Sequence, residues 1–129
     1  EPIIGSLIGF SDCQIGFSAL VPQTCVHLEY DGYSMLELGH INAWYNCCLD
    51  SISAAFTFSN DSIIVGETEW LHNGGCDCIC PINIDMQIEN LLPGIYTLVI
   101  GSASVDPAAR RSILIDLRHE VNYTSCFEE

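Results

Sequence analysis

Ile82-Asn83-Ile84-Asp85-Met86-Gln87-Ile88 alternates apolar and polar residues without a break. In an extended chain successive side chains point to opposite faces, so this stretch makes a strand with one dry face and one wet face. It runs through Glu89-Asn90-Leu91-Leu92 into Pro93-Gly94, a turn signal, and returns as Ile95-Tyr96-Thr97-Leu98-Val99-Ile100. The pair is either a hairpin or a corner that carries the chain from one sheet to another.

The same period recurs on both sides. Val26 to Tyr30 precedes an Asp31-Gly32 turn. Ser34 to Leu38 and Ile41 to Asn46 follow, with Gly39 as the expected bulge or bend. Ser51 to Phe58 ends at Ser59-Asn60-Asp61, and Ser62 to Leu71 ends at Asn73-Gly74-Gly75. Ser112 to Leu117 places Ile113, Ile115 and Leu117 on one face. A short helical turn fits Asp106-Pro107-Ala108-Ala109-Arg110. Many short strands separated by turns predict an all-β fold, and Leu91-Leu92-Pro93-Gly94-Ile95-Tyr96 narrows it to an immunoglobulin-like antiparallel β-sandwich. In such sandwiches a corner tyrosine bonds back to the backbone. With no internal repeat and no linker, residues 1–129 read as one domain.

The N-terminal run Pro2-Ile3-Ile4-Gly5-Ser6-Leu7-Ile8-Gly9-Phe10 is apolar without clean alternation, which predicts a strand covered on both faces. Residues 1–12 are thus either the first strand of this chain's own sheet or a donor strand for a neighbouring copy. Ile3, Ile4, Leu7, Ile8 and Phe10 would carry that assembly.

Acidic residues outnumber Lys+Arg by 17 to 3, for a net charge of -14. Lysine is absent, and the cations are Arg110, Arg111 and Arg118. Nucleic acid and anionic membrane are therefore poor partners. Schiff-base chemistry is excluded with lysine. The three arginines form an expected basic patch for an acidic neighbour in an assembly. No apolar run reaches the roughly 18 residues of a membrane helix. The opening Glu1-Pro2, without a basic region, is what a processed secreted chain shows. Asn60 and Asn122 begin N-x-S/T sequons.

Eight cysteines in a chain this short predict a disulfide-rich extracellular or cell-surface protein. Cys13 and Cys25 could close a loop, and Cys126 could tie the C-terminal segment to the central group. That group, Cys47-Cys48 and Cys76-Asp77-Cys78-Ile79-Cys80, has two readings. As disulfides it clamps two strands. As thiolates, Cys47, Cys48, Cys76, Cys78 and Cys80 suit a soft metal, copper first, with His72 or His40 adding imidazole. Extended, the Cys-x-Cys-x-Cys run would set three sulfurs on one strand face over roughly 13 Å. Histidines 27, 40, 72 and 119 fall in no catalytic spacing, and Glu67 and Glu69 read as a solvated pair. No Gly-rich phosphate loop or Gly-x-Ser-x-Gly elbow occurs, so no enzyme is expected and no cofactor other than the alternative copper.

The segments Gly39-His40-Ile41-Asn42-Ala43-Trp44-Tyr45-Asn46-Cys47-Cys48, Cys76 to Pro81 and Leu91 to Tyr96 together resemble uncharacterised secreted or lipoprotein-like prokaryotic domains. Those domains share an H-x-N-x-x-x-N-C-C … C-x-C-x-C … L-x-P-G-x-Y pattern. The resemblance implies a prokaryotic envelope or extracellular β-sandwich and no assigned activity. The chain departs from lipoproteins in that its first cysteine is Cys13. The function this reading favours is a non-enzymatic surface module that self-associates into a pilus-like homopolymer through its N-terminal segment, with copper binding as the alternative.

Overall fold

The computed structural model describes residues 2–14 and 23–127. Nine strands are formed among them: β1 (Ile4–Phe10), β2 (Cys25–Tyr30), β3 (Leu36–Asn46), β4 (Leu49–Ser59), β5 (Ser62–Leu71), β6 (Ile79–Glu89), β7 (Ile95–Ser102), β8 (Arg111–Asp116) and β9 (Val121–Cys126). They make a disulfide-rich β-sandwich. A five-stranded sheet runs β1-β6-β3-β2-β9 and a four-stranded sheet runs β4-β5-β7-β8. The first is antiparallel throughout; in the second, β5 and β7 run parallel.

The alternation in β6 does what its pattern predicts. Ile82, Ile84, Met86 and Ile88 are buried against the opposite sheet, while Asp85 faces water. Leu28 and Tyr30 from β2, Leu36 and Leu38 from β3, and Leu98 and Ile100 from β7 fill the rest of the layer. Each such side chain contributes roughly 1.5–3 kcal/mol on leaving water. The chain after β6 turns a corner between sheets, since β6 and β7 belong to different ones. Tyr96 holds that corner by donating its hydroxyl to the Leu92 carbonyl, and buried Tyr30 donates to the Leu91 carbonyl at 2.6 Å. Burial pushes the Tyr30 hydroxyl up to about 12. The short helical turn forms at Pro107–Ala109, capped by the Asp106 side chain.

Three local expectations change. The bend in β3 lies at Asn42, which takes φ 56°, and not at Gly39, which pairs in register with Asp85. An asparagine side chain tolerates the left-handed region, so no glycine is needed. The N-terminal run is not covered on both faces: among the described residues β1 is an edge strand paired only with β6, and Ile4, Ile8 and Phe10 are 46%, 62% and 40% exposed. Its irregular spacing comes from a register shift between Leu7 and Gly9. The inward side is tight instead, because a Cβ on Gly5 would sit 2.2 Å from the Phe56 ring. Finally, Cys76 and Cys78 precede β6, so the three sulfurs do not share a strand face.

Candidate functional site

β1 presents two things at once. Among the described residues no strand pairs with its outer edge, and its outward side chains Ile4, Ile8 and Phe10 form an apolar row with no charge from Pro2 to Phe10. Folded proteins normally blunt such an edge with lysine, proline or inward charges. Ile8 and Phe10 also wall a trough of about 760 Å³ on the outer face of the five-stranded sheet. Its floor carries Glu29, Glu37 and Asp85. Glu29 lies directly across from Glu37 in the β2–β3 register; hydrogen bonding and repulsion between them, with Asp85 adding, push the Glu37 carboxyl up.

The chain leaves β1 toward the sulfur cluster. All eight cysteines pair: Cys13–Cys80, Cys25–Cys126, Cys47–Cys78 and Cys48–Cys76. Two expected links are therefore replaced. Cys13 bonds Cys80 and not Cys25, because the segment after β1 follows β6: Ser11 and Gln14 donate backbone N–H to the Asn83 and Pro81 carbonyls. Cys126 bonds Cys25 and no member of the central group, because the β2–β9 register sets those two residues directly opposite.

Asn46 organises the vicinal pair, a role the sequence reading missed. Its Oδ1 accepts from Cys48 N–H at 2.8 Å and from Cys76 N–H at 3.1 Å, while its Nδ2 donates to the Cys76 carbonyl at 2.7 Å. One side chain thus pins the Cys47-Cys48 turn to the loop before β6, which is how adjacent cysteines reach separate partners. Gly75 takes φ 89°, and a Cβ there would meet Asn46 at 3.2 Å. The five central cysteines do not converge on one point. The convergent sulfurs are those of Cys13, Cys47 and Cys80, all within 4.8 Å of one another. Cys48, Cys76 and His72 are not among them.

Between the sheets lies a second polar group. Glu67 is fully buried; Tyr45 donates its hydroxyl to Oε1 at 2.7 Å and His40 Nδ1 meets Oε2 at 2.7 Å. The expected solvated Glu67–Glu69 pair is thus not formed. Glu67 faces inward with Ile63 and Val65, and Glu69 accepts the Asn46 backbone N–H at 3.0 Å. His40, expected at the surface or in a strand as an ordinary histidine, is buried against Glu67. Burial and the adjacent Glu67 carboxylate push the Tyr45 hydroxyl far above its usual range.

The arginines do not make one patch. Arg118 forms a fork with Asp116 beyond one end of β8, with N···O distances of 2.9 and 2.7 Å. Arg110 and Arg111 lie at its other end. There Arg110 lays its stem over Gly101 and donates to the Val105 carbonyl, and Arg111 covers the Phe127 ring. A six-residue strand separates the two groups by about 20 Å. Asn60 is exposed in the β4–β5 turn, and Asn122 is exposed on β9, where it donates to Glu29 at 3.1 Å. Among the described residues no helix is long and apolar enough to cross a membrane.

No family model matches this chain, and neither the curated proteins nor the solved structures contain a significant match.

Proposed function

We propose that this protein is an extracellular, non-enzymatic structural module that self-associates head to tail through the edges of its five-stranded sheet. The observation that carries the reading is the β1 edge, paired with no strand among the described residues, uncharged along its length and flanked by Ile4, Ile8 and Phe10. The receiving edge is β9, at the other end of the same sheet and likewise free of charge from Val121 to Cys126. β1 of one copy against β9 of the next continues the ladder of backbone hydrogen bonds. Because the two edges differ, the contact does not close on itself and builds an open filament instead of a dimer. Four disulfides hold each subunit rigid, which keeps the ordering cost of assembly low. They also favour the oxidising extracellular space.

Negative-stain electron microscopy and light scattering of the concentrated protein test this. Wild-type chain forms filaments or a ladder of masses. Ile8→Lys with Phe10→Lys on the giving edge, and separately Thr124→Lys on the receiving edge, leave monomers. Filaments that survive both changes, or a closed dimer in place of a ladder, overturn the reading.

A further inference from the structure

The sulfurs of Cys13, Cys47 and Cys80 come from three separate segments: the stretch after β1, the β3–β4 turn and the start of β6. Cys13 and Cys80 are joined in one bridge, and Cys47, whose own partner is Cys78, brings its sulfur within 4.8 Å of both. Cys80 is buried, and Cys13 and Cys47 are half-buried. Beside them is a cavity of about 110 Å³, lined also by Asp12, Asn46 and Leu49. A tetrahedral zinc site with bonds of about 2.3 Å sets its sulfurs roughly 3.8 Å apart. Cys47 already lies within about 1 Å of that spacing, and Cys13 and Cys80, about 2 Å apart while bonded, would part by nearly 2 Å once reduced.

We propose that in the reduced chain Cys13, Cys47 and Cys80 form a three-thiolate site for a soft d10 cation, copper(I) or zinc, with the cavity beside Asp12 as the fourth position. Thiolates select such ions, and three sulfurs alone suit trigonal copper(I), while zinc would take an oxygen from Asp12 or water. The site and the bridges are alternative states of the same sulfurs. Each bridge takes two electrons and two protons from a dithiol, which leaves as its own cyclic disulfide. This frees Cys13, Cys80, Cys47 and Cys78 as thiols, and the cation then displaces the protons of the first two and of Cys47. Cys78 is exposed in the loop before β6, outside the cluster, and Cys48–Cys76 takes no part. The inference does not depend on self-association.

The test uses the full chain reduced with a dithiol, freed of it by gel filtration without oxygen, and titrated with copper(I) or with zinc. Native mass spectrometry should show one ion per chain for the wild type and for a Cys48→Ser, Cys76→Ser control, and none for the oxidised protein. Cys13→Ser, Cys47→Ser and Cys80→Ser should each weaken binding by about a hundredfold, the share of one ligand in a structural metal site. Asp12→Asn should weaken zinc and leave copper(I) unchanged. Single-cysteine variants that bind like the wild type overturn the proposal, as does a control that loses binding. So does a reduced chain that stays without β-sheet circular dichroism after the cation is added.

Discussion

Glu67 shows how a single side chain can hold two sheets in a fixed relation. It sits on β5, and the two groups that meet it, His40 and Tyr45, both stand on β3 in the opposite sheet. A buried polar group costs free energy unless it is hydrogen-bonded, and each Glu67 oxygen has a partner. Glu67→Ala removes the acceptor and leaves both donors buried and unsatisfied, a loss of about 3 kcal/mol in urea unfolding. Tyr45→Phe removes one donor and should lose about 1 kcal/mol. The sequence shows Glu67 in the inward phase of a strand with Ile63 and Val65. Its buried pairing is not legible there, because its partners lie more than twenty residues away on another sheet, and alternation says nothing about pairing across sheets. At the surface, Asp116 behaves differently. Hydrogen bonds from the Arg118 guanidinium and then from its backbone N–H hold the Asp116 carboxyl at about 2, below its ordinary 3.8. A carboxyl lowered on folding adds stability that is complete above the ordinary value and is lost as pH falls from about 4 to about 2. Carboxyl titration by NMR should place the Asp116 midpoint near 2 in the wild type and return it toward 3.8 in Arg118→Gln.

At the scale of elements, patterns that depend on nearest neighbours were legible. Strands β2 and β4 to β8 fall where alternation and turn residues place them, and the Leu-x-Pro-Gly-x-Tyr corner forms as its sequence predicts. Tyr96→Phe should therefore lower stability by about 1 kcal/mol without changing the fold, read from the thermal midpoint and an unchanged far-ultraviolet spectrum. β9 is not legible from alternation, because Val121-Asn122-Tyr123-Thr124-Ser125-Cys126 exposes most of both faces and owes its place to pairing with β2 and to the Cys25–Cys126 bridge. Glycines at 5 and 9 blur the period of β1, so its sequence predicts two covered faces. In the structure the inward glycine makes room for Phe56, and the apolar outer row is left in the open.

For the whole molecule, the disulfides and the charge make separable predictions. Even parity pointed to full pairing, but eight cysteines allow 105 connectivities, and register chose among them. Cys25–Cys126 spans 101 residues and Cys48–Cys76 spans 28. Loop-closure entropy then predicts that Cys25→Ser with Cys126→Ser loses about 1 kcal/mol more in chemical unfolding than Cys48→Ser with Cys76→Ser. A net charge of -14 makes copies of this chain repel each other, so self-association should strengthen as salt rises through about 0.15 M, where the screening length falls to roughly 8 Å. Light scattering against salt concentration checks that direction. The central claim, that β1 and β9 are the joining edges, is tested most directly by hydrogen exchange read by mass spectrometry at increasing protein concentration and fixed salt. Backbone amides of β1 and β9 should gain protection together as concentration rises, while those of β4 and β8, the edges of the other sheet, stay unchanged. Protection of β1 and β9 that does not depend on concentration, or a gain confined to β4 and β8, would contradict it.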